Sequence, residues 1–130
     1  MIEDLHPDSV AALDQDHPVV MLNLMKFRDQ SADGDGTGWD AYVRYSKMAN
    51  KLIKQNAGRI AYAGEVKGTT FGPEVHGDWD YMALVTYETP AGFLAMMESA
   101  EYAEANVHRD NGCAAHIIMA LHETFNGMGA

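Results

Sequence analysis

Basic residues, cysteine and long apolar runs are all scarce in this chain of 130 residues. Nine lysines and arginines stand against nineteen aspartates and glutamates, which gives a formal net charge of −10. This balance argues against a nucleic-acid or anionic-membrane partner, because both need a basic surface. No apolar run approaches the ~20 residues that a membrane span needs. The single cysteine, Cys113, excludes a disulfide within the chain.

The N-terminus and the overall composition indicate the compartment and the size class. The first 18 residues carry five acidic side chains and no lysine or arginine, the reverse of a secretory signal peptide. Hydrophobic residues make up 47% of the chain, enough for a buried core, and the length fits one domain. We therefore expect a cytoplasmic protein with a single folded domain.

Hydrophobic periodicity and turn signals divide the chain into four strands with helices between them. The predicted strands are 19–27, 59–66, 79–87 and 114–124. The predicted helices are a short one at 10–14, then 39–57 with a capping box of Thr37 and Asp40, 90–98, and 102–109 capped by Ser99. This β-α-β-β-α-β order predicts an α+β, ferredoxin-like fold with a four-stranded antiparallel sheet. Residues 1–17 are expected to form an N-terminal extension, and residues 18–130 the single domain.

The first predicted strand is apolar on both of its faces. One face carries Val19, Met21 and Met25, and the other carries Val20, Leu22 and Leu24. Two helices cover only one face of a four-stranded sheet, yet a strand that is apolar on both faces is usually buried on both. An open second face would also exceed the apolar patch that a monomer tolerates. The sequence therefore predicts a homodimer, an α+β barrel in which two sheets pack face to face.

Asn23 lies in the middle of this apolar strand, on the side of Met21 and Met25. A buried amide must find hydrogen-bond partners, because leaving it unsatisfied costs about 1–3 kcal/mol. Asn23 is therefore either a core amide bound to the backbone or to a tyrosine hydroxyl, or a group directed into a pocket between sheet and helices. In the second case it is a candidate catalytic residue that holds a carbonyl or an oxyanion.

Aromatic rings with polar tips are common in this chain, which has six tyrosines against four phenylalanines. Tyr42 and Tyr45 fall on the inward face of helix 39–57 by helical spacing. Apolar walls with a few hydrogen-bonding tips are typical of pockets for planar organic ligands, although cores and dimer interfaces also use such rings. The candidate substrate-binding residues are Tyr42, Tyr45, Tyr62, Trp79 and Tyr102.

His108 and Arg109 end the last predicted helix, and Arg109 is the only lysine or arginine after residue 67. One interpretation is structural, because the helix dipole favours a histidine at a C-terminus and Arg109 can pair with Asp110 or Glu104. The other interpretation is catalytic. His108 then serves as a general acid or base, and Arg109 anchors a carboxylate or an enolate.

No metal or nucleotide site is predicted. The loop 33–38 resembles the start of a calcium loop, but Arg44 stands where a bidentate glutamate is needed. His116 and His122 are six residues apart on one predicted strand, roughly 20 Å at strand rise, which is too far to share a metal. The Gly-x-Gly-x-x-Gly, Walker and Gly-x-Ser-x-Gly motifs are absent. We therefore expect chemistry without a metal or a cofactor.

Five segments follow, in order and spacing, the pattern of a known family. They are the strand 18–28, Gly58-Arg59, Gly77-Asp-Trp-Asp80, Ser99-Ala-Glu-Tyr102 and Arg109. Together they resemble the domain-of-unknown-function family 1330, over about residues 18–125. The departures lie in turns: the family usually has a glycine at Ala57, a proline at Ala100 and a Phe-Pro-Ser turn where this chain has Tyr87-Glu-Thr-Pro90.

The resemblance implies a dimeric α+β barrel of the ferredoxin-like superfamily, with a pocket between the sheet and the helices of each subunit. Proteins of similar architecture include cofactor-free monooxygenases, muconolactone-type isomerases, stress-responsive barrel proteins and haem-degrading enzymes. A shared fold does not determine the reaction, so these proteins indicate only which activities the fold permits.

These observations favour a cofactor-independent enzyme that acts on a planar, oxygenated small molecule, such as an aromatic or a lactone. Proton transfer next to a carbonyl, with isomerisation, elimination or oxygenation as the outcome, suits the available groups. Asn23 would hold the oxyanion, His108 would move a proton and Arg109 would anchor an acidic substituent. The alternatives are a non-catalytic small-molecule-binding or stress-related dimer and, third, a haem-binding or haem-degrading protein.

Overall fold

The computed structural model describes residues 4–74 and 78–128. Its strands are β1 (Val19–Phe27), β2 (Gly58–Glu65), β3 (Tyr81–Tyr87) and β4 (Cys113–Leu121). Its helices are α1 (Pro7–Ala11), α2 (Gly38–Gln55), α3 (Pro90–Met97) and α4 (Ala100–Gly112). Gly77, the first residue of one family-like segment, lies outside the described residues. Among the described residues, no helix is both long and apolar enough to span a membrane.

The four strands form one antiparallel sheet in the order β2-β3-β1-β4. This arrangement confirms the predicted ferredoxin-like fold, and β1 has the bounds that its apolar run predicts. Burial alternates along β1: Val19, Met21, Asn23 and Met25 are buried, while Val20, Leu22 and Leu24 are half-buried on the other face. The buried set faces the helices, so Asn23 lies on the same side as the core.

Side-chain caps set the starts of the helices. The hydroxyl of Thr37 accepts from the backbone N–H of Asp40 at 3.1 Å, and the Asp40 carboxylate accepts from the backbone N–H of Thr37 at 2.8 Å. These two bonds complete the predicted capping box of α2. Helix α1 begins earlier than predicted, because Pro7 occupies its first turn with a backbone angle already suited to a helix.

The turn after α2 differs from the prediction. Helix α2 ends at Gln55, before its predicted end at residue 57, and Ala57 adopts the left-handed backbone conformation, with a φ of 60°. Gly58 instead begins β2, where a Cβ would meet the ring of Tyr87 at 2.8 Å. The glycine at this position is therefore required by close packing and not by the turn.

Helix α4 continues past its predicted end at residue 109 and ends at Gly112, because this glycine docks against the start of α2. The carbonyl of Gly112 accepts from the N–H of Arg28 at 2.8 Å, and the carbonyl of Arg28 accepts from the N–H of Gly38 at 3.1 Å. A Cβ at Gly38 would collide with the Arg28 carbonyl, and one at Gly112 would lie 2.6 Å from the Gly38 carbonyl. We call these three residues the glycine junction, because they join β1, α2 and α4 through backbone contacts.

The face of the sheet opposite the helices carries exposed apolar side chains. Leu22 pairs with Met119 and Leu24 with Ile117 across the β1–β4 register, so their side chains share this face. Between 41% and 49% of the surface of Tyr62, Ile117, Met119 and Leu121 is exposed. We call this surface the outer sheet face; its members are Val20, Leu22, Leu24, Tyr62, Ile117, Met119 and Leu121.

Replacing Gly38 with alanine should destabilise the protein, because the new Cβ would overlap backbone atoms of the glycine junction. Overpacking of this kind costs about 1–3 kcal/mol. Gly64→Ala is the matched control, since a Cβ there meets nothing closer than 3.6 Å. Chemical denaturation of the three proteins measures the effect, and equal free energies of unfolding for Gly38→Ala and the wild type would contradict the close backbone contact.

Candidate functional site

A cavity of about 620 Å³ opens on the helix side of the sheet, among β1, β4, α1, α3 and α4. Its volume falls within the range of ~300–1,000 Å³ that is typical of small-molecule sites. The floor consists of Met21 from β1 with His116, Ile118 and Ala120 from β4. These residues share a face because Met21 pairs with Ala120, and every second residue of a strand points the same way.

The N-terminal extension forms one wall of this cavity. Leu5, Val10 and Leu13 contribute apolar side chains, and Asp4, His6 and Ser9 contribute polar ones. Val10 is buried and α1 packs against α3, so the extension is held by apolar contacts. The cavity therefore depends on a segment that lies outside the family-like part of the chain.

Helices α3 and α4 and the segment before β3 supply the remaining walls. Their lining residues are Phe93, Met97, Trp79, Tyr102 and Arg109. Among the described lining residues, Arg109 is the only lysine or arginine. The cavity therefore presents one permanent positive charge in a largely apolar and aromatic surrounding.

Arg109 is fixed by three hydrogen bonds. Its Nε donates to Oδ1 of Asn106 at 2.6 Å, its Nη1 to Nδ1 of His116 at 3.1 Å, and its Nη2 to Oδ1 of Asp110 at 3.1 Å. The side chain is 13% exposed, whereas that of Asp110 is 65% exposed. A guanidinium has five N–H groups, so one N–H on each terminal nitrogen has no partner among the described residues. These two donors are available to a ligand.

His116 is neutral, and its tautomer follows from its neighbours. Burial, with a smaller effect of the nearby Arg109 charge, lowers its pKa to about 3. Because a guanidinium only donates, Nδ1 of His116 must accept from Arg109, which leaves the proton on Nε2. Nε2 then donates to Oδ1 of Asn23 at 2.9 Å. Both ring nitrogens are thus used within the protein.

Asn23 is buried, and its amide is satisfied. Oδ1 accepts from His116, while Nδ2 donates to the carbonyl of Met21 at 3.1 Å and to that of Ala83 at 3.5 Å. These bonds settle which end of the amide faces His116, because the two carbonyls require the nitrogen on their side. Asn23 therefore reaches the cavity only through His116.

A pair of tyrosines supports the same wall. The hydroxyls of Tyr45 and Tyr102 are hydrogen-bonded at 2.7 Å, and the ring of Tyr102 lines the cavity. Burial raises the pKa of Tyr102 above its ordinary value and raises that of Tyr45 well above it. Both hydroxyls are therefore protonated at neutral pH and act as hydrogen-bonding groups.

The residues that the sequence predicts for the site fall into two groups. Trp79, Tyr102 and Arg109 line the cavity, and Asn23 is joined to Arg109 through His116. These four come from the centre of β1, the segment before β3 and both ends of α4, so the fold brings together residues far apart in the chain.

The other four predicted residues do not line this cavity. Tyr42 packs in the core with its ring centroid 5.1 Å from that of Phe27. Tyr45 reaches the wall only by its bond to Tyr102. Tyr62 lies half-exposed on the outer sheet face, and His108 lies on α4 with an Nδ1 that is buried and has no partner among the described residues.

Sequence reasoning missed two histidines of the site, His116 and His6 of the cavity wall. From the sequence alone, the only role that suggests itself for His116 is metal binding together with His122, which the spacing of the two residues excludes. In the structure, His116 lies opposite Met25 and therefore on the same face as Asn23. This register brings together two residues 93 positions apart in the chain, and local sequence does not reveal it.

Arg44 occupies the acidic loop that resembles a calcium site. Its Nη2 donates to the carbonyl of Asp35 at 3.0 Å, and its guanidinium lies 3.9 Å from the carboxylates of Asp33 and Asp35. Elsewhere in residues 4–74 and 78–128, no three histidine, cysteine, aspartate or glutamate side chains converge as a metal site would require. Burial raises the pKa of Cys113 to about 11, so its thiol stays protonated at neutral pH.

The fold has counterparts among solved structures. A protein of unknown function from Rhodopseudomonas palustris is 26% identical over 92% of both chains, with a TM-score of 0.82. A hydroxynitrile lyase from Passiflora edulis is 16% identical, covers 85% of this chain and 99% of its own, and has a TM-score of 0.54. A dimeric ferredoxin-like protein of unknown function from Thermobifida fusca is 14% identical over 85% of this chain and 94% of its own, with a TM-score of 0.51. The last two likenesses concern the fold alone.

No protein-family model and no curated protein sequence matches the chain. The resemblance to family 1330 is therefore not confirmed. The solved structures show the coarser relationship, the ferredoxin-like fold.

The stability of the protein should fall as the pH is lowered from 7 to 5, in part because of His116. Its folded pKa of about 3 lies below the ordinary value of 6.5, so only the unfolded state takes up this proton in that range. This proton uptake lowers the free energy of unfolding by about 1.4 kcal/mol for each pH unit below 6.5. In His116→Gln, the free energy of unfolding measured by denaturant melts should fall less steeply with decreasing pH than in the wild type. His122→Gln, which changes an exposed histidine, should show the same pH dependence of stability as the wild type. An identical pH dependence in all three proteins would mean that His116 is not held neutral.

Proposed function

We propose that the chain is a cofactor-independent enzyme whose cavity binds a planar, oxygenated small molecule with an acidic oxygen. The reaction is proton transfer next to a carbonyl, with isomerisation, elimination or oxygenation as the outcome. The observation that carries this proposal is Arg109, a fixed guanidinium with two N–H groups left for a ligand in an apolar, aromatic cavity. A positive charge in such a setting stabilises a carboxylate or an enolate far better than water does.

The cavity walls suit the body of such a ligand. Trp79, Tyr102 and Phe93 supply aromatic surface, while Met21 and Met97 supply adaptable apolar surface. Arg109 anchors the acidic oxygen at one place on this wall. A ligand that is planar, apolar over most of its area and negatively charged at one edge satisfies all of these contacts.

We assign the proton transfer to His6. This histidine lines the cavity, and its side chain forms no hydrogen bond or ion pair to another described residue. His116 cannot take the role because both of its ring nitrogens are bound. His108, the proton carrier expected from the sequence, does not line the cavity. An imidazole carries both a proton acceptor and a proton donor, the two functions that a general acid–base catalyst needs.

The solved structures support this proposal by analogy of fold alone. A lyase is among the proteins that share the fold, so the fold is compatible with small-molecule catalysis. A non-catalytic, small-molecule-binding or stress-related dimer would use the same cavity. A haem-binding protein is the third candidate, and the one observation in its favour is a histidine and a tryptophan on the cavity wall.

A thermal-shift screen against aromatic acids, lactones, quinones and haem tests the binding step. An acid at one hundred times its dissociation constant should stabilise the wild type by about 2.7 kcal/mol. Arg109→Met should abolish the shift because the anchoring charge is gone. Arg59→Met, which removes an exposed arginine of β2, is the matched control and should respond like the wild type. Acids that stabilise Arg109→Met and the wild type equally would remove Arg109 from the proposal.

Product analysis on the ligands that bind then separates the candidate functions. Conversion that is lost in His6→Gln supports the enzyme and its assigned proton carrier. Binding without conversion favours the non-catalytic dimer. A Soret shift on haem titration, with no response to organic acids, favours the haem protein.

We also propose that the chain belongs to family 1330 and forms a homodimer through the outer sheet face. That face carries half-exposed isoleucine, methionine, leucine and tyrosine side chains next to the half-buried leucines of β1. An apolar patch of this kind is typical of a protein interface. One of the solved structures with this fold is described as dimeric, which supports the same arrangement.

Met119→Lys should convert the protein to a monomer, because it places a charge at the centre of the proposed interface opposite Leu22. Val107→Lys is the matched control: Val107 is 56% exposed on α4, away from the outer sheet face. Light scattering at micromolar concentration should give twice the chain mass of 14.3 kDa for the wild type and the control. A monodisperse monomer for the wild type would overturn the dimer.

A further inference from the structure

Asn23, His116 and Arg109 form a hydrogen-bonded series that runs from the sheet to the cavity. The first link joins Asn23 Oδ1 to His116 Nε2 at 2.9 Å, and the second joins His116 Nδ1 to Arg109 Nη1 at 3.1 Å. Asn23 lies at the centre of β1, His116 near the start of β4 and Arg109 in the last turn of α4. The series therefore ties the helix layer to the sheet beside the cavity.

We propose that Asn23 and His116 are positioning residues that hold Arg109 toward the cavity as the anchor for a ligand with a single negative charge. This inference rests on the proposed function, since it concerns the same cavity, and it adds the role of two side chains and the charge class of the ligand.

The orientation of the amide is the first step of the argument. The two N–H groups of Asn23 Nδ2 go to the backbone carbonyls of Met21 and Ala83, at 3.1 and 3.5 Å. The sheet therefore turns Oδ1, an acceptor, toward His116. An acceptor in that place requires a donor on Nε2, so the register of the sheet selects the tautomer of the imidazole.

The tautomer then decides where the guanidinium lies. With its proton on Nε2, His116 offers a lone pair at Nδ1, and Nη1 of Arg109 donates to it. The opposite tautomer, or an imidazolium, would place an N–H against an N–H and release Arg109. The remaining partners, Asn106 and the mostly exposed Asp110, both lie on α4 itself and cannot hold the group against the sheet.

The charges around Arg109 point to the class of ligand. His116 and Asn23 support the guanidinium without carrying charge, and the single carboxylate bound to it, that of Asp110, is 65% exposed and screened by water. One N–H on each terminal nitrogen remains for a ligand. A monocarboxylate or an enolate meets this demand, whereas a neutral ligand of the same shape leaves the charge uncompensated.

Nitrogen NMR of the imidazole tests the positioning role without any ligand. In the wild type, His116 should show the neutral Nε2–H tautomer throughout pH 5–7, and the Arg109 guanidinium should rotate slowly. Asn23→Asp should protonate His116 and free Arg109, because a carboxylate favours the imidazolium. A His116 that titrates normally in the wild type, or an Arg109 that is equally restrained in His116→Leu, would overturn the series.

Binding of benzoate and its neutral counterpart benzamide tests the charge class. His116→Leu should weaken benzoate binding by roughly tenfold, the effect of losing one hydrogen bond to a charged group, and leave benzamide unchanged. His116→Gln should restore most of the affinity, because an amide can accept from Arg109 and donate to Asn23. His122→Gln is the control and should bind as the wild type does.

The two experiments separate the possible failures. If the wild type binds benzamide as well as benzoate, the anionic ligand class and the proposed function fall, whatever the NMR result. If benzoate binds with a clear preference but His116→Leu binds it like the wild type, the positioning role falls and the proposed function stands.

Discussion

The contact among Arg28, Gly38 and Gly112 is the constraint on which the rest of the structure depends. Three backbone segments meet there without any side chain between them, since a Cβ at either glycine would strike a carbonyl oxygen. Helix α4 therefore ends at a fixed point against α2 and β1. Arg109 lies one turn before that point, and β4, which carries His116, begins one residue after it. Two of the three members of the hydrogen-bonded series are thus positioned by the same close packing.

The central strand shows what local sequence is able to predict. The bounds of β1 and the alternation of its two faces follow from its apolar pattern, because side-chain direction in a strand has a strict period of two. Asn23 is conspicuous for the same reason, as an amide among buried apolar residues. Arg109 is conspicuous as an isolated cation in an acidic half of the chain. Both are recognisable because a single residue departs from its neighbours.

His116 and the tyrosines show where this kind of inference ends. The role of His116 depends on Asn23, 93 residues away in the chain, and on the β1–β4 register that brings the two side chains together. Tyr42 and Tyr62 have the composition of pocket residues, but one lies in the core and the other on the outer sheet face. Helical spacing and aromatic content do not determine which of several apolar surfaces a ring joins.

Helix α1 has only five residues, and a helix of that length has no stability of its own. Apolar contacts of Val10, Leu5 and Leu13 hold it in place, and it takes no part in the sheet or in the glycine junction. The cavity wall that α1 forms is therefore held by apolar packing, whereas the floor is held by the strand pairing of β1 and β4. Loss of those apolar contacts would remove one wall of the cavity without breaking any bond of the hydrogen-bonded series.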